Sequence, residues 1–260
     1  MTAKYISRKN KRHMPSVETR AIILRTYNLA EADKIVVCFT EASGTVRGVA
    51  RGARRLKSRY GAGLEPWTLV RIAYFEKEGR ELVSLKGVEI ERSSFALATD
   101  AEASATLAYL SALVLEFMPP HETNVLMFRM MVACMEALGE EGSGKAAIAS
   151  YFETWTLRLS GVLPDVGVCV QCDKRLFEGE PAVLGMDTQI RCTGCGRESD
   201  VKISAAVREQ IQLIQRVAPR TYAQSSGYEK PCEDLNALLK RLTHKALERL
   251  PRALETLHAR

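Results

Sequence analysis

Four cysteines carry the most specific chemistry in this chain. Cys169-x-x-Cys172 is followed, after 19 residues, by Cys192-x-x-Cys195. A CxxC turn lets two thiolates approach one cation from a tight knuckle, and two knuckles close a tetrahedral site. The gap falls in the roughly 15–20 residue range of zinc ribbons. The set reads as the ligands of one structural zinc ion; two surface disulfides are the alternative. Four thiolates leave no open coordination position, so such a site supports a fold and does no catalysis. Gly194 and Gly196 are expected to give the second knuckle its backbone freedom. Cys38, Cys134 and Cys232 lie on apolar or loop stretches and read as small core or surface residues. An odd total of 7 Cys, four of them in CxxC pairs, fits a reducing cytoplasm.

The second chemical feature is charge. The net charge is +6, but residues 1–60 hold 14 Lys/Arg against 4 Asp/Glu, a local balance of +10. The stretch RGARRLKSRYG holds Arg51, Arg54, Arg55, Lys57 and Arg59 with no acidic residue. Such asymmetry points to a polyanionic partner, either nucleic acid or an anionic membrane surface. With a period of two, Thr45, Arg47, Val49 and Arg51 project the same way, and Lys34 opens the preceding strand. The DNA-binding set is therefore Lys34, Arg47, Arg51, Arg54, Arg55, Lys57 and Arg59. Tyr60, Trp67, Tyr74 and Phe75 lie nearby as candidate stacking surfaces, although Trp67 and Phe75 are expected to fill a core.

No catalytic constellation accompanies these features. HExxH, GxSxG and the H-x-E of zinc deaminases are missing from the sequence. Gly139–Ala146 has Walker A spacing. Ala146, however, stands where the magnesium-binding hydroxyl belongs, and a helix pattern precedes it where a strand is required. Glu31 and Asp33 form an acidic pair without a third carboxylate, and read as a loop pair beside Lys34. The chain is therefore read as a non-enzyme.

The elements that must hold these residues change character near Ser93. Residues 17–91 read as five strands: VETRAIILRTY, DKIVVCFT, TVRGVAR, PWTLVRIAYFEKEG and RELVSLKGVEIE. Ile35, Val37 and Phe39 alternate on one face, and Glu78-Gly79 joins the last two strands. Five short strands with Gly turns fit a Greek-key barrel of the OB type. Beyond Ser93 the period becomes 3.6. Helices are expected after Thr99 or Asp100, after Asn124 and near Lys145, with stops at Pro119-Pro120, Gly139 and Gly161. Leu107, Leu110, Leu113 and Val114 form one apolar face, and Phe152, Trp155 and Leu159 another. Two further helices are expected at roughly 203–217 and 232–258. The expected class is α+β multidomain. A flexible basic arm, 1–16, precedes an OB-fold DNA-binding domain, 17–91. An α-helical domain, 92–165 and 203–260, carries an inserted zinc-ribbon-like module, 166–202. No run reaches the roughly 18 apolar residues of a membrane span, and the basic N-terminus lacks the apolar run of a secretory signal.

Residues 23–70 resemble the N-terminal domain of the RecO family of bacterial recombination mediators. The shared elements are Glu31-Ala32-Asp33-Lys34, the Ser43-Gly44 turn, Gly52-Ala53-Arg54-Arg55, Lys57-Ser58-Arg59 and Leu64-Glu65-Pro66. FETWTLRLSGVLPDVGVCVQC is similar to a later segment of the same family, where a helix ends in Gly-x-x-Pro before the first CxxC. The segment GMDTQIRC departs from it by lacking a Gly-Gly. The resemblance implies an OB-fold, a helical domain and a four-cysteine zinc module. It implies binding of single- and double-stranded DNA, strand annealing, and loading of RecA with RecR on DNA coated by single-stranded DNA-binding protein. It also implies a cytoplasmic, nucleoid-associated protein. A zinc-ribbon transcription factor contacting DNA through Arg175, Arg191 and Arg197 is one alternative, and a metal-dependent nuclease is another.

Overall fold

The computed structural model describes residues 16–76, 81–140, 144–225 and 233–248. The expected basic arm, the Glu78-Gly79 turn and Cys232 lie outside them. The chain divides into two compact units. One runs to Thr40 and resumes over Val46–Ser93; the other takes Glu41–Thr45 and everything from Ser94 onward.

The first unit is a five-stranded barrel. Its strands are β1 (Ser16–Leu29), β2 (Asp33–Thr40), β3 (Gly44–Ala50), β4 (Leu69–Phe75) and β5 (Val83–Arg92). They close in the order β1-β2-β3-β5-β4. β1 pairs antiparallel with both β2 and β4, and the short β3–β5 contact is parallel. Alternation sends Ala21, Ile23, Val36, Cys38, Val46, Ala50, Val70, Ile72, Tyr74, Val83 and Leu85 into one buried cluster with Tyr60 and Leu64. The core side of β2 is thus Val36 and Cys38, and Ile35, Val37 and Phe39 take the other face. Val37 and Phe39 are buried as well, so β2 lacks the clean polar alternation of a half-exposed strand. Burial pushes the Cys38 thiol up to about 12, as suits a small core residue.

The second unit begins with α1 (Phe95–Ala98), α2 (Ala101–Phe117), α3 (Val125–Leu138) and α4 (Lys145–Leu159). Asp100 caps α2 by accepting from the N–H groups of Glu102 and Ala103. Asn124 caps α3 by accepting from Met127 N at 2.9 Å. Lys145, the lysine of the Walker-like stretch, pairs with Asp100 and with Glu102. α4 packs against α2 and α3, and it is buried on nearly every side. Its buried hydroxyls are satisfied within the helix: Thr154 Oγ1 donates to Ser150 O and Thr156 Oγ1 to Phe152 O. The expected face of Phe152, Trp155 and Leu159 is only part of this burial, since Trp155 and Leu159 are half-buried.

Three short strands follow: β6 (Ala182–Leu184), β7 (Ile190–Cys192) and β8 (Val201–Ile203), in the order β7-β6-β8. The helix expected at roughly 203–217 is α5 (Ala205–Ile214), and a short helix the sequence reading did not include, α6 (Pro219–Gln224), follows with Pro219 at its start. α7 (Glu233–Leu247) completes the described helices. Tyr151 OH donates to Val217 O, and Trp155 Nε1 to Ile214 O, so α4 grips the α5–α6 connection. Among the described residues, no helix is long and apolar enough to cross a membrane.

Candidate nucleic-acid interface and cysteine cluster

The basic loop leaves β3 at Arg51 and is held at both ends. At the first end, Gly52 adopts φ +72°, a left-handed conformation that disfavours a side chain. Its N–H donates to Asp33 Oδ1 at 2.8 Å. Arg54 N donates to Ala32 O at 3.0 Å, and Arg54 Nη1 to Ala30 O at 2.9 Å. The acidic pair of the sequence is thereby resolved: Asp33 anchors the loop, and Glu31 lies exposed beside it. At the second end, Tyr60 is buried in the barrel core and its hydroxyl donates to Leu85 O at 3.0 Å. Arg59 lies over the Tyr60 ring, 5.1 Å from its centroid.

Between these anchors the cations face water. Arg51, Arg54, Arg55, Lys57 and Arg59 are exposed, and Arg47 is half-buried on β3. Among the described residues, none of these six, nor Lys34, forms an ion pair. Elsewhere on the barrel, by contrast, Arg20 and Arg71 share Glu91. Arg47 has the outward parity of β3, opposite to Val46 and Ala50. Lys34 differs, because it shares the parity of Val36 and Cys38. It is half-buried at the start of β2 and does not share the face carrying Arg47.

The aromatic expectations need correction. Tyr60 and Tyr74 belong to the barrel core and offer no face to a base. Trp67 is buried, as expected of a core residue. Phe75, expected inside, is half-exposed with Lys86 over its ring. Sequence reading passed over Arg25 and Tyr27. Both are exposed on β1, opposite Val37 and Ile35 on the outer face of β2. The available signal was an Arg and a Tyr two residues apart at the end of a strand.

The second site is the cysteine cluster. The sulfur atoms of Cys169, Cys172, Cys192 and Cys195 all lie within 4.8 Å of one another, and Cys172 is 3.9 Å from Cys192. A tetrahedron of thiolates at about 2.3 Å from zinc sets sulfur spacings near 3.8 Å, so the donor set suits that ion. Burial opposes ionisation of Cys169, but N–H groups of Cys192, Gln171 and Cys172 outweigh it and hold the thiol at about 6. Hydrogen bonding to Cys192 and Cys172 pushes Cys195 up to about 12. Four sulfurs this close compete for negative charge until a cation shares it.

The knuckle glycines do not supply the left-handed backbone expected of them. Neither Gly194 nor Gly196 has a positive φ; Asp173 and Thr188 do. Gly196 is needed for space, since a Cβ there would stand 2.8 Å from Val183 Cγ2. In GMDTQIRC the β6–β7 turn closes through Gly185 N to Gln189 O and through the Asp187–Arg191 pair. A Cβ on Gly185 would meet Arg191 Nη1 at 2.0 Å and Asp187 Oδ1 at 2.5 Å, so a side chain here would displace that pair. The pairing also holds Arg191 in the fold, away from the DNA contact that a transcription-factor reading requires.

Arg208, on α5, is the third residue that sequence reading missed. It is 2% exposed. Its Nε donates to Val166 O at 2.7 Å and its Nη2 to Leu176 O at 2.8 Å; Nη1 donates to Phe177 O and Glu180 O. One side chain thus gathers the loop that carries the first knuckle. A cation inside the apolar stripe Val207, Ile211 and Ile214 was the clue.

Barrel, helices and sites define a two-unit protein with an open cationic surface and a closed four-thiol module. Residues 14–94 match the family model described as Recombination protein O N terminal, and residues 98–255 the model described as Recombination protein O C terminal. The chain belongs to the RecO family. It is 30% identical to the DNA repair protein RecO of Koribacter versatilis over 236 residues, covering 89% of this chain and 94% of that one. It is 31% identical to the DNA repair protein RecO of Geobacter sulfurreducens over 203 residues, covering 78% of this chain and 81% of that one.

Proposed function

We propose that this chain is a non-catalytic DNA-binding protein of recombinational repair. In this reading it binds single- and double-stranded DNA, anneals complementary strands and, with RecR, helps load RecA on DNA coated by single-stranded DNA-binding protein. It acts at the nucleoid in the cytoplasm. The observation that carries the reading is the doubly anchored loop with five exposed cations that form no ion pair among the described residues. The family membership and the names of the relatives support the repair context.

The barrel serves as an OB-fold, a reading supported by its β1-β2-β3-β5-β4 order. The domains are the basic arm 1–16, the OB domain 17–91, the helical domain 92–165 with 203–260, and the cysteine module 166–202. Lys34, Arg47, Arg51, Arg54, Arg55, Lys57 and Arg59 neutralise phosphates and release counterions. That term is indifferent to sequence, as a mediator working along any strand requires. Annealing needs the repulsion between two polyanions screened, and a broad cationic surface does this without a nucleotide. Cys169, Cys172, Cys192 and Cys195 hold one structural zinc ion, which supplies cross-linking of the module and no reaction chemistry.

The test is annealing of two complementary oligonucleotides, with and without their single-strand-binding protein. The chain should accelerate annealing in both cases. No acceleration over the protein-free rate contradicts the proposal.

A further inference from the structure

The tip of the basic loop carries a side chain that phosphate binding does not explain. Leu56 is 102% exposed, and it sits among Arg54, Arg55, Lys57 and Arg59. A solitary surface leucine is ordinarily unremarked, because much of any protein surface is apolar. This one differs in how it is displayed. Ser58 N donates to Arg55 O at 3.0 Å, making a turn with Leu56 and Lys57 at its two central positions. The entering limb is tied to Ala30, Ala32 and Asp33, and the leaving limb enters the core at Tyr60. The loop is thus braced at both limbs and cannot easily fold its tip back to cover the leucine. Burying a leucine is favourable, and this loop forgoes that gain in the free protein.

We propose that Leu56 is a wedge for nucleic-acid bases. Resting on the DNA-binding reading above, this adds a second contact beside phosphate neutralisation. The ring of cations fixes the partner as a polyanion, and the apolar part of that polyanion is the base stack. As Arg55 and Lys57 settle on phosphates either side of the turn, Leu56 enters between two bases and separates them. Proteins that deform DNA use leucine and similar apolar side chains in this way. An unstacked base is also more accessible for re-pairing, which links the wedge to annealing.

The experiment uses the full chain and an oligonucleotide with 2-aminopurine in the bound region, as a single strand and as a duplex. Stacking quenches this base, so wedging raises its fluorescence. Wild-type chain should raise it, and Leu56→Ala should abolish the rise. The same change should weaken single-strand binding about five- to tenfold while keeping the salt slope, since no charge is lost. Leu56→Met should retain both signals. Binding without a fluorescence rise, or a rise that survives Leu56→Ala, overturns the wedge and leaves phosphate binding standing. If the wild-type chain binds no DNA at all, the interface reading falls and the wedge falls with it.

Discussion

The cysteine module and the basic loop both concentrate functional groups on irregular backbone, yet they satisfy them in opposite directions. In the module the donors point inward. The four sulfurs converge, Arg208 spends its N–H groups on four carbonyls, and Arg191 is taken by Asp187. In the loop the backbone is satisfied through Asp33, Ala32 and the loop's own turns, Arg54 and Arg59 each make a neutral contact, and the cationic charges themselves are left without a counter-charge among the described residues. A saturated site has nothing left to offer a partner and can only hold shape. An anchored loop with unspent charge is preorganised for a ligand that brings the opposite charge. The contrast supports the proposed division, with support in one region and binding in the other.

Replacing Arg208 with Met should have the largest effect. It strands four backbone carbonyls, so unfolding of the second unit should become easier by about 3–5 kcal/mol, measured by urea denaturation. DNA affinity of the folded chain should be unchanged. A drop in affinity at full folding would blur the division between the regions.

Next comes the fourfold change of Arg54, Arg55, Lys57 and Arg59 to Ala. It should lower DNA affinity roughly a hundredfold at physiological salt with little loss of thermal stability, because these heads are exposed. Circular dichroism and anisotropy titration on the same samples check both halves. Retained affinity would move the interface elsewhere on the barrel.

Asp33→Ala sharpens the comparison by attacking the anchor without touching a cation. It frees the Gly52 N–H and should cost about 1 kcal/mol of local stability. Hydrogen exchange over 51–59 should rise, and affinity should fall a few-fold.

The smallest effect concerns Glu153, a buried carboxylate in α4. Burial raises its pKa above the usual carboxylate range, and hydrogen bonds from Thr243 and Tyr109 with the charge of Lys240 oppose that rise only in part. The native state then holds this proton more tightly than the unfolded chain. Stability is greatest below the ordinary carboxylate range and declines as pH rises through the native value. Glu153→Gln should remove that decline, with a difference below about 1 kcal/mol at low pH. Urea midpoints across the acid range would show it. An unchanged slope would mean the carboxylate is already fully ionised in the fold.

Sequence patterns reached the regular parts of this structure because those parts obey a period. The five strands and the capped starts at Asp100 and Asn124 follow from alternation and side-chain capping. The helix expected over 203–217 is α5, but the six-residue α6 that Pro219 begins is too short to show a helical period and went unread. At the candidate sites, residue types were legible and directions were not. Spacing marked the cysteines, but only the fold brings 169–172 and 192–195 to metal-ligand distance. The run of cations was plain, whereas their anchors, Asp33 and Tyr60, are distant in chain or inward in parity. Arg208 escaped because its role lies in four carbonyls up to 42 residues away, and nothing local in a sequence marks an acceptor.

The most direct measurement of the central claim is the salt dependence of single-strand binding by the intact chain. Contact with about six phosphates predicts that log K falls against log salt with a slope of roughly −4. The fourfold Ala variant should give a visibly shallower line. A slope near zero for the wild-type chain would contradict an electrostatic DNA interface on this loop.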